Sequence, residues 1–423
     1  MLDIHFIRDN KDLVQEAAKK KRIEFDVAQL LEIDDRRKLL QQEVDGLRAQ
    51  QNSASDVIAA TTDPDEKQQK IAESKEVKEA LQKKEEELKG VLEQWKALMI
   101  RVPNIPDMSV PDGDDEGDNQ ELKQVGEKPK STFEPKDHIE LMTNLGMVDF
   151  DRGTKIHGFR GYVLIGDGAL LSTAVWNCAR DFYLKKNFVY ALPPAIAKKE
   201  YFYGTGHLPT EAEDLYVTQD DDYLSGTSEV PMMAYHADEV LTKDELPKRY
   251  LAFSPCYRRE AGSHGKDTKG LLRVHEFYKL EQLVLCEADH QISVEYHEEL
   301  NRNTEEFLEL LGLPYRQVLI SSGDLGSGKV KQYDTDLWIP SQQTYREISS
   351  ASYYHDFQSR RFNIRYDDEG KKKYVHSLNA TAIPTPRVLI ALIENNQNED
   401  GSVTIPPALR PYLDDRESFT PRA

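Results

Sequence analysis

Apolar residues recur at helical spacing along two long stretches near the N-terminus. In residues 28–60 they lie three, four or seven positions apart: Leu30, Ile33, Leu40, Val44 and Leu47. In residues 64–100 they form two rows with a seven-residue repeat and one polar member: Val77, Lys84, Val91 and Leu98, and Leu81, Leu88 and Trp95. A seven-residue repeat keeps one face of a helix against a partner helix. The pattern therefore predicts two long helices that pack along a common seam.

A short reversal separates these two helices. Asp63 precedes Pro64, and Glu66 stands three residues after Asp63. An aspartate can cap a helix, a proline fits its first turn, and an acidic residue at the third position completes the start signal. The stretch from about 28 to 100 is therefore predicted to be an antiparallel coiled-coil hairpin.

The pattern changes after the hairpin. Residues 101–130 contain several prolines and the acidic run at 112–118, so no regular structure is predicted there. From residue 133 onward, helical and strand-like stretches alternate, as in a mixed α and β domain. The predicted organisation is an N-terminal helical region at 1–110, a linker at 111–132 and a mixed domain at 133–423.

Two strand-like segments, 253–260 and 274–285, flank a basic loop that contains glycines. Alternation along the first segment puts Cys256, Arg258 and Glu260 on one face. Along the second it puts six residues on one face: His275, Phe277, Lys279, Glu281, Leu283 and Leu285. A strand face that combines an aromatic ring, a cation and a carboxylate is unusual for a core. Such a face is expected in the floor of a binding site.

The spacing on this face indicates the kind of ligand. Phe277 and Glu281 are four residues apart, so their side chains are expected roughly 13 Å apart at about 3.3 Å per residue. This distance matches a ligand with an aromatic group at one end and a cation at the other, such as an aminoacyl-adenylate. Phe277 would stack on adenine, Glu281 would bind the α-ammonium, and Arg258 would bind the phosphate between them. The alternative is a β-ribbon whose Arg and Glu side chains form surface pairs, which explains single residues better than the whole string.

Composition and charge limit the class of protein. Hydrophobic residues make up 39% and charged residues 31% of the chain, which is typical of a soluble protein. No apolar run approaches the roughly 18 residues that span a membrane, and the N-terminus lacks a secretory pattern. Three cysteines without metal-ligand spacing, Cys178, Cys256 and Cys286, are expected to be buried thiols in a cytoplasmic protein. The net charge of −20 argues against nucleic-acid binding by overall charge.

The two strand-like segments and the loop between them resemble a known family. The string CYRREAGSHGKDTKGLLRVHEF, residues 256–277, resembles motif 2 of class II aminoacyl-tRNA synthetases in the version of the seryl-tRNA synthetase family. The resemblance extends over essentially the whole chain. It implies an α+β fold with a class II antiparallel sheet flanked by helices. It also implies that the chain joins L-serine to tRNA(Ser) with ATP and Mg²⁺, and to tRNA(Sec) where that tRNA is present.

The resemblance assigns residues to the ATP and Mg²⁺ sites. The residues implied to bind ATP fall in four segments: Arg258, Arg259 and Glu260; Val274, His275, Glu276 and Phe277; Glu347, Ile348, Ser349 and Ser350; and Arg387. Of these, Glu347 and Ser350 correspond to Mg²⁺ ligands, and Mg²⁺ does prefer oxygen ligands. Arg258 and Arg387 are implied to act in catalysis by neutralising phosphate charge. A lone arginine at a helix start, such as Arg387, is also a common cap.

The resemblance also assigns the residues that bind serine. They are Thr227, Ser228, Glu229, Glu281, Asn379 and Thr381. Thr227-Ser228-Glu229 by itself is equally typical of a helix start. The chain departs from the family's pattern at His207, in the segment Ser350-Ala351-Ser352-Tyr353, and at Pro384 and Pro386, and it has Thr381 where many members have serine.

The resemblance further implies partners for two other segments. The hairpin resembles the arm that grips the long variable arm of tRNA. Its candidate phosphate contacts are Arg36, Arg37, Lys38, Arg48, Lys67, Lys70, Lys75 and Lys78. A helix and strand predicted at 167–192 resemble motif 1, which implies a homodimer. An ordinary helix–strand unit closed by prolines explains the same residues.

Three other functions remain open at this level. One is a non-catalytic paralogue that retains the fold. Another is an amino acid ligase that loads a carrier protein, although such relatives lack the long arm. A third is a class II enzyme for another amino acid such as threonine, although no zinc-ligand cluster stands near the substrate loop.

Overall fold

The computed structural model describes residues 1–130, 132–262, 265 and 267–421. Ser263, His264 and Lys266 of the motif 2 string lie outside the described residues, as does Ser131 of the predicted linker. Contacts divide the chain into two units. The first comprises Met1–Lys19 and Ile23–Pro103, and the second comprises Lys20–Arg22 and the chain from Asn104 onward.

The first unit is helical. Its helices are α1 (Ile4–Asp9), α2 (Lys11–Lys20), α3 (Val27–Ala60) and α4 (Pro64–Arg101). The Asp63 carboxylate accepts hydrogen bonds from the N–H groups of Asp65 and Glu66, with Pro64 in the first turn. The predicted hairpin is therefore confirmed, and the first helix starts one residue earlier than expected.

The seam between α3 and α4 is apolar with charged margins. Its buried residues are Leu40, Val44, Leu81, Leu88 and Val91. The polar position of the heptad, Lys84, lies 2.8 Å from Glu43 of α3. Because exposed ion pairs contribute at most about 1 kcal/mol, burial of the apolar rows is the main stabilising term of this hairpin.

The second unit contains the remaining helices and all the strands. The helices are α5 (His138–Asn144), α6 (Phe150–His157), α7 (Asp167–Leu184), α8 (Lys199–Thr205), α9 (Glu229–Tyr235), α10 (His290–Leu310), α11 (Phe357–Phe362) and α12 (Arg387–Asn395). The strands are β1 (Gln120–Val125), β2 (Val148–Asp149), β3 (Val163–Leu164), β4 (Val189–Ala191), β5 (Ile196–Lys198), β6 (Tyr216–Val217), β7 (Asp222–Leu224), β8 (Val240–Thr242), β9 (Lys248–Tyr257), β10 (Glu276–Cys286), β11 (Tyr315–Leu319), β12 (Lys331–Ile339), β13 (Thr344–Tyr353), β14 (Arg365–Asp368), β15 (Lys371–Tyr374), β16 (His376–Thr385), β17 (Val403–Thr404) and β18 (Ser418–Phe419).

Within the described residues, eight strands join in one sheet, here called the main sheet, in the order β1–β11–β12–β13–β16–β10–β9–β4. Neighbouring strands are antiparallel from β1 through to β9. At the far edge β4 pairs with β9 in parallel. The predicted antiparallel class II sheet is therefore confirmed, with one parallel pair at its edge.

The expectation that residues 101–130 lack regular structure is wrong at two places. Glu116–Asp118, in the acidic run, forms a short 3₁₀ helix. Gln120–Val125 forms β1, which pairs with β11 and so makes one edge of the main sheet. Prolines do restrict the flanking chain, but none lies between 112 and 128. A segment without strong apolar alternation can still form an edge strand because its neighbour supplies the hydrogen-bonding partners.

One face of the main sheet is covered by α7, α10 and α12. The largest buried cluster combines side chains of these helices with Leu280, Val284 and Leu378 of the sheet. On β10 the residues that point towards α10 therefore alternate with those that point away. Gln282, for example, donates a hydrogen bond to the carbonyl of Leu300 in α10. The opposite face of β10 is left for Phe277, Lys279 and Glu281.

The predicted ends of the two ribbon strands are wrong. The first strand ends at Tyr257, so Arg258 and Glu260 lie in the loop and not on a strand face. The second strand begins at Glu276, so His275 precedes it. The N–H of Arg259 donates to the carbonyl of Asp214, and that of Ala261 donates to the Asp214 carboxylate. These bonds draw the chain away from the ladder before it reaches Glu260.

The three cysteines are free and buried, as predicted. Burial raises the pKa of the Cys178 thiol to about 11 and that of Cys286 to about 12. Among the helices of the described chain, none combines the length and the apolar character needed to cross a bilayer.

A buried histidine–glutamate pair fixes the end of the motif 2 loop. His138 Nε2 accepts a hydrogen bond from the N–H of Leu271, so Nδ1 carries the proton and donates to Glu394 Oε1 at 3.0 Å. The same Oε1 accepts from the N–H of His138, and Oε2 accepts from the N–H of Ser341. Gly270 has a φ of +79°, and a Cβ there would lie 2.3 Å from His138 Nε2. The loop can therefore approach His138 only with glycine at this position.

We expect Glu394→Ala to destabilise the protein by about 2–4 kcal/mol, because it leaves the buried N–H of His138, the partly buried N–H of Ser341 and the His138 ring without their acceptor. Urea unfolding followed by tryptophan fluorescence measures this loss. Glu399→Ala, at an exposed position nearby, is the matched control and should change stability by less than about 0.5 kcal/mol. Equal unfolding midpoints for the two variants would contradict the role of Glu394.

Candidate active site

A cavity of about 480 Å³ opens on the side of β10 that carries Phe277 and Glu281. Strands β9, β10, β13 and β16, the start of α12 and the loop at 326–329 contribute to its wall. Most residues assigned from the family resemblance line it: Thr227, Glu229, Arg258, Glu260, Val274, Phe277, Glu281, Glu347, Ile348, Ser350, Asn379, Thr381 and Arg387. Tertiary structure therefore brings together residues that are up to 160 positions apart in the sequence.

Five assigned residues do not line this cavity in the described part of the chain: Ser228, Arg259, His275, Glu276 and Ser349. Two of them hold backbone in place, since Ser228 Oγ donates to the carbonyl of Ala252 and Ser349 Oγ donates to that of Thr381. His275 supports the site through its carbonyl, which accepts from the N–H of Arg258 at 2.9 Å. These three residues support the wall from behind it, whereas Arg259 and Glu276 are exposed.

Arg258 and Phe277 form one end of the cavity. The Arg258 guanidinium lies 5.2 Å from the centroid of the Phe277 ring, within cation–π distance. Arg258 follows β9 directly, and its N–H is fixed to His275 across the ribbon. A flat aromatic face and a permanent cation therefore lie together, as binding of a purine and a phosphate requires.

Salt bridges anchor the basic loop beside this end. Arg273 lies 2.9 Å from Glu260 and 3.2 Å from Asp267, and Asp267 also pairs with Arg346 of β13 at 2.5 Å. Partial burial raises the pKa of Asp267, but hydrogen bonds from Arg346 and Arg273 outweigh it and hold the pKa below its ordinary value. Asp267 therefore stays ionised at neutral pH and ties the loop to the main sheet.

Buried polar side chains form the other end of the cavity. Glu229 Oε1 accepts a hydrogen bond from Gln358 at 2.6 Å, and Glu281 Oε2 accepts from the Thr381 hydroxyl at 3.2 Å. Tyr354 donates to the Asn379 side chain at 3.3 Å. Buried carboxylates and hydroxyls that line a cavity suit a small ligand with an ammonium and a hydroxyl group.

Sequence reasoning missed several residues of this wall. Lys279 was recognised only as a cation on the strand face, yet its side chain is buried between Glu281 and Thr227. Tyr354 and the segment 326–329 also line the cavity. The only signal for Lys279 was its two-residue spacing from Phe277 and Glu281. No local signal marked Tyr354 or 326–329.

A group of acidic residues lies across β12 and β13. Cross-strand pairing puts Asp334 opposite Ser350 and Asp336 opposite Glu347. Burial, with the nearby Glu347 charge, raises the pKa of Asp334 well above its ordinary range. Burial also raises the pKa of Asp336, against the opposing effect of Arg316. Burial is the main cause of both shifts, and the Glu347 charge adds to each. Carboxylates gathered in this way favour a bound cation.

Arg387 is the first residue of α12 and borders this acidic group. Its Nη1 donates to the carbonyl of Glu347 at 2.7 Å and lies 4.0 Å from the Glu347 carboxylate. Its Nε donates to the carbonyl of Leu272. Burial lowers the pKa of Arg387 from its ordinary value, but an arginine remains charged at neutral pH. The carbonyls of Glu347 and Leu272 thus hold the Arg387 guanidinium at the edge of the cavity.

The residues present fit a Mg²⁺ ion that also binds a substrate. Glu347 Oε1 and Ser350 Oγ are 3.5 Å apart on the same face of β13. No group of three or more His, Cys, Asp or Glu side chains with metal-binding geometry occurs in the described residues. Mg²⁺ bound to nucleotides commonly uses only one or two protein ligands and completes its shell with phosphate oxygens and water.

Of four residues that depart from the family's pattern, one lies in the core and three line the cavity. Tyr353 points into the core, where it donates to Asp107, so it does not form the wall of the cavity. Pro384 and Pro386 do line the cavity at the start of α12. His207 also lines it, with Nδ1 2.7 Å from the Thr205 hydroxyl.

Two family models match the chain. One, for the seryl-tRNA synthetase N-terminal domain, matches residues 1–106. The other, for the class II tRNA synthetase core domain (G, H, P, S and T), matches residues 215–396. The serine–tRNA ligase of Deinococcus radiodurans is 43% identical over 419 residues, which cover 99% of this chain and 98% of that protein.

Solved structures agree with these matches. Seryl-tRNA synthetase from Pyrococcus horikoshii, complexed with ATP, superposes with a TM-score of 0.91 at 35% identity and full coverage of both chains. Cytoplasmic serine–tRNA ligase from Naegleria fowleri, in complex with AMP, gives a TM-score of 0.87 at 30% identity, over 100% of this chain and 99% of that chain. This chain therefore belongs to the seryl-tRNA synthetase family, as the two family models, the full-length relative and the shared fold together establish.

Proposed function

We propose that this chain is an ATP-dependent serine–tRNA ligase that activates L-serine and transfers it to tRNA(Ser), and to tRNA(Sec) where that tRNA occurs. One observation carries the proposal: a single cavity has Arg258 and Phe277 at one end and the buried Glu229 and Glu281 at the other. An aminoacyl-adenylate has matching groups at its two ends. Curated relatives of the same length carry the name serine–tRNA ligase.

The first step is formation of seryl-adenylate. The serine carboxylate attacks the α-phosphorus of ATP, an oxygen–phosphorus bond forms, and pyrophosphate leaves. Arg258 holds the α-phosphate and Arg387 holds the terminal phosphate, so positive charge faces the oxygens where negative charge develops. Phe277 stacks on adenine while Glu281 and Thr381 bind serine. Catalysis then rests on orientation and charge, without a protein nucleophile.

The second step is transfer to tRNA. A hydroxyl of the terminal ribose attacks the carbonyl carbon of seryl-adenylate, an ester bond forms, and AMP leaves with the electrons of the broken bond. The proton of the attacking hydroxyl can pass to the leaving phosphate. Arg258 stays in contact with that phosphate, which stabilises AMP as the leaving group.

Glu347 and Ser350 are the residues that would hold Mg²⁺. When bound, the ion would neutralise phosphate charge and help to orient the triphosphate. Cross-strand pairing supports this position, because it puts Asp334 opposite Ser350 and Asp336 opposite Glu347, so that carboxylates gather beside the two ligands. Arg387, on the neighbouring helix, supplies one fixed positive charge at the same edge.

The α3–α4 hairpin is the proposed tRNA-binding arm. Of its eight candidate phosphate contacts, four already form ion pairs: Arg37, Lys38, Arg48 and Lys70. The other four, Arg36, Lys67, Lys75 and Lys78, form no ion pair with any described residue and are the stronger candidates. Local cations can bind RNA phosphates although the whole chain is acidic.

A homodimer is also part of the proposal. Strand β4 is the edge of the main sheet, and it and its flanks expose apolar side chains: Val189 at 60%, Leu192 at 68% and Ile196 at 51%. An exposed apolar edge strand invites pairing with another chain. Pairing with a second copy would cover it.

The proposed activity is tested by ATP–pyrophosphate exchange with Mg²⁺ and without tRNA. We expect exchange with serine and much less with threonine, alanine or glycine. Arg258→Ala should reduce it by about 10²–10³-fold, because one donor to the charged transition state is lost. Arg152→Ala, a surface arginine away from the cavity, should retain full activity. A fully active, folded Arg258→Ala protein would refute the phosphate role.

Removing residues 28–100 and joining the ends with a short glycine-rich linker should spare serine activation and abolish tRNA charging. The full-length variant Lys75→Glu/Lys78→Glu should weaken charging in the same direction, because it reverses two candidate phosphate contacts. Serine exchange in both proteins is the control for an intact cavity. Normal charging by the shortened protein would disprove the arm assignment.

Light scattering after size-exclusion chromatography should give twice the mass of one chain for the unmodified protein. Leu192→Asp should shift the protein towards a monomer, because a buried charge at an apolar contact is costly. Leu122→Asp, an exposed leucine on the opposite edge strand, is the matched control and should leave the mass unchanged. A monomeric unmodified protein would exclude the dimer.

A further inference from the structure

A buried lysine stands at the serine end of the cavity, without a role in the proposed mechanism. Lys279 lies on β10 two residues before Glu281, and its side chain is only 7% exposed. Its Nζ lies 2.6 Å from Glu281 Oε2 and donates to the Thr227 hydroxyl oxygen at 2.8 Å. One ammonium therefore touches two of the groups assigned to serine.

The charges at this end balance only with the lysine included. Glu229 and Glu281 are buried carboxylates, 5% and 2% exposed. Together with the Lys279 ammonium they leave one net negative charge, which matches the single ammonium of an amino acid. Without Lys279, two buried carboxylates would face one substrate cation, and an unpaired buried charge is strongly unfavourable.

Lys279 also fixes the direction of the Thr227 hydroxyl. That oxygen accepts from Lys279 Nζ at 2.8 Å and from the N–H of Glu229 at 3.3 Å. A hydroxyl has two acceptor positions and one donor. With both acceptor positions occupied, the Thr227 proton is left to donate to a ligand oxygen.

Lys279 leaves the Thr227 hydroxyl as a donor, and it leaves Glu281 as an acceptor. Within the described residues, both contacts of this carboxylate use Oε2, from Lys279 and Thr381, which leaves Oε1 for a ligand donor. Burial raises the pKa of Glu281, and the Lys279 charge is the largest effect that opposes this rise. The titratable groups near Glu281 are Lys279 on β10, Glu229 on α9, Cys256 on β9 and Tyr354 after β13, with Tyr183 of α7 on the other side of the main sheet. Among them Lys279 is the cation.

We infer that Lys279 is a positioning residue for serine, whose ammonium keeps Glu281 an ionised acceptor and presents the Thr227 hydroxyl as a donor. This inference rests on the proposed function, because it takes serine as the ligand of this end. The pocket would then have an acceptor, Glu281, for the donors of serine, and a donor, Thr227, for one of its oxygens.

The test compares Lys279→Met, which keeps the length of the side chain but removes its charge, with Lys279→Arg, which keeps the charge. Serine-dependent pyrophosphate exchange is measured across about pH 6 to 9. In Lys279→Met, kcat/KM for serine should fall by at least about a hundredfold at neutral pH. It should recover as the pH rises, because Glu281 without its cation has a higher pKa and must lose its proton to bind serine. Lys279→Arg should retain the pH profile of the unmodified protein.

Glu281→Gln and the double variant Lys279→Met/Glu281→Gln complete a cycle. Glu281→Gln cannot titrate at this position, so its pH profile reports the ionisation of serine alone. If Lys279 acts through the Glu281 charge, adding Lys279→Met to Glu281→Gln should cost far less than it costs the unmodified protein. The KM for ATP should stay within about threefold in every variant, since the lysine lies at the serine end.

Three outcomes would overturn the inference or its basis. Absence of serine exchange by the unmodified protein would refute the proposed function itself. Normal exchange by that protein, with an unchanged kcat/KM and pH profile in Lys279→Met, would refute only the role of Lys279. Equal losses for serine and ATP at every pH, with a lower melting temperature, would mean that Lys279 only supports packing.

Discussion

Alternation of side chains along β10 is the constraint on which the rest of the structure depends. Leu280 and Val284 enter the core beneath α7, α10 and α12, while Phe277 and Glu281 form the cavity on the opposite face. Because the strand period is two residues, a shift of one residue would turn Lys279 and Glu281 towards the apolar core and Leu280 and Val284 towards the cavity side. Pairing with β9 on one side and β16 on the other holds the strand in this register. The core and the site are therefore stabilised by the same hydrogen bonds.

The cavity is organised by charge as much as by shape. One end combines Arg258 with an aromatic face, and the acidic group on β12 and β13 lies beside Arg387. At the other end, Lys279 and Glu281 form a pair that is almost fully buried. Such a pair adds little net stability when compared with apolar packing, but removing one partner is costly. We therefore expect this buried pair to contribute to ligand binding more than to the stability of the fold.

Sequence patterns predicted the N-terminal hairpin well and the ends of the two ribbon strands less well. The helix-start signal at Asp63 and Pro64 located the hairpin turn to the residue, because capping depends on neighbours in the sequence. The prediction that Arg258 and Glu260 lie on a strand face was wrong, because the backbone at Arg259 and Ala261 donates hydrogen bonds to the distant Asp214. The edge strand β1 was missed for a similar reason, since its partner β11 lies almost 200 residues away. Local patterns contain no information about such partners.

The sequence by itself determined the hairpin, the family and thirteen of the residues that line the cavity. These follow from periodicity and from a long, distinctive string, both of which are local properties of the chain. Only the tertiary structure separated residues in the wall from those behind it, such as Ser349, and identified Lys279 as the partner of Glu281 and Thr227. The physical reason is that burial and charge pairing depend on which strands become neighbours. Side chains acquire those properties only when the main sheet brings β10, β13 and β16 together.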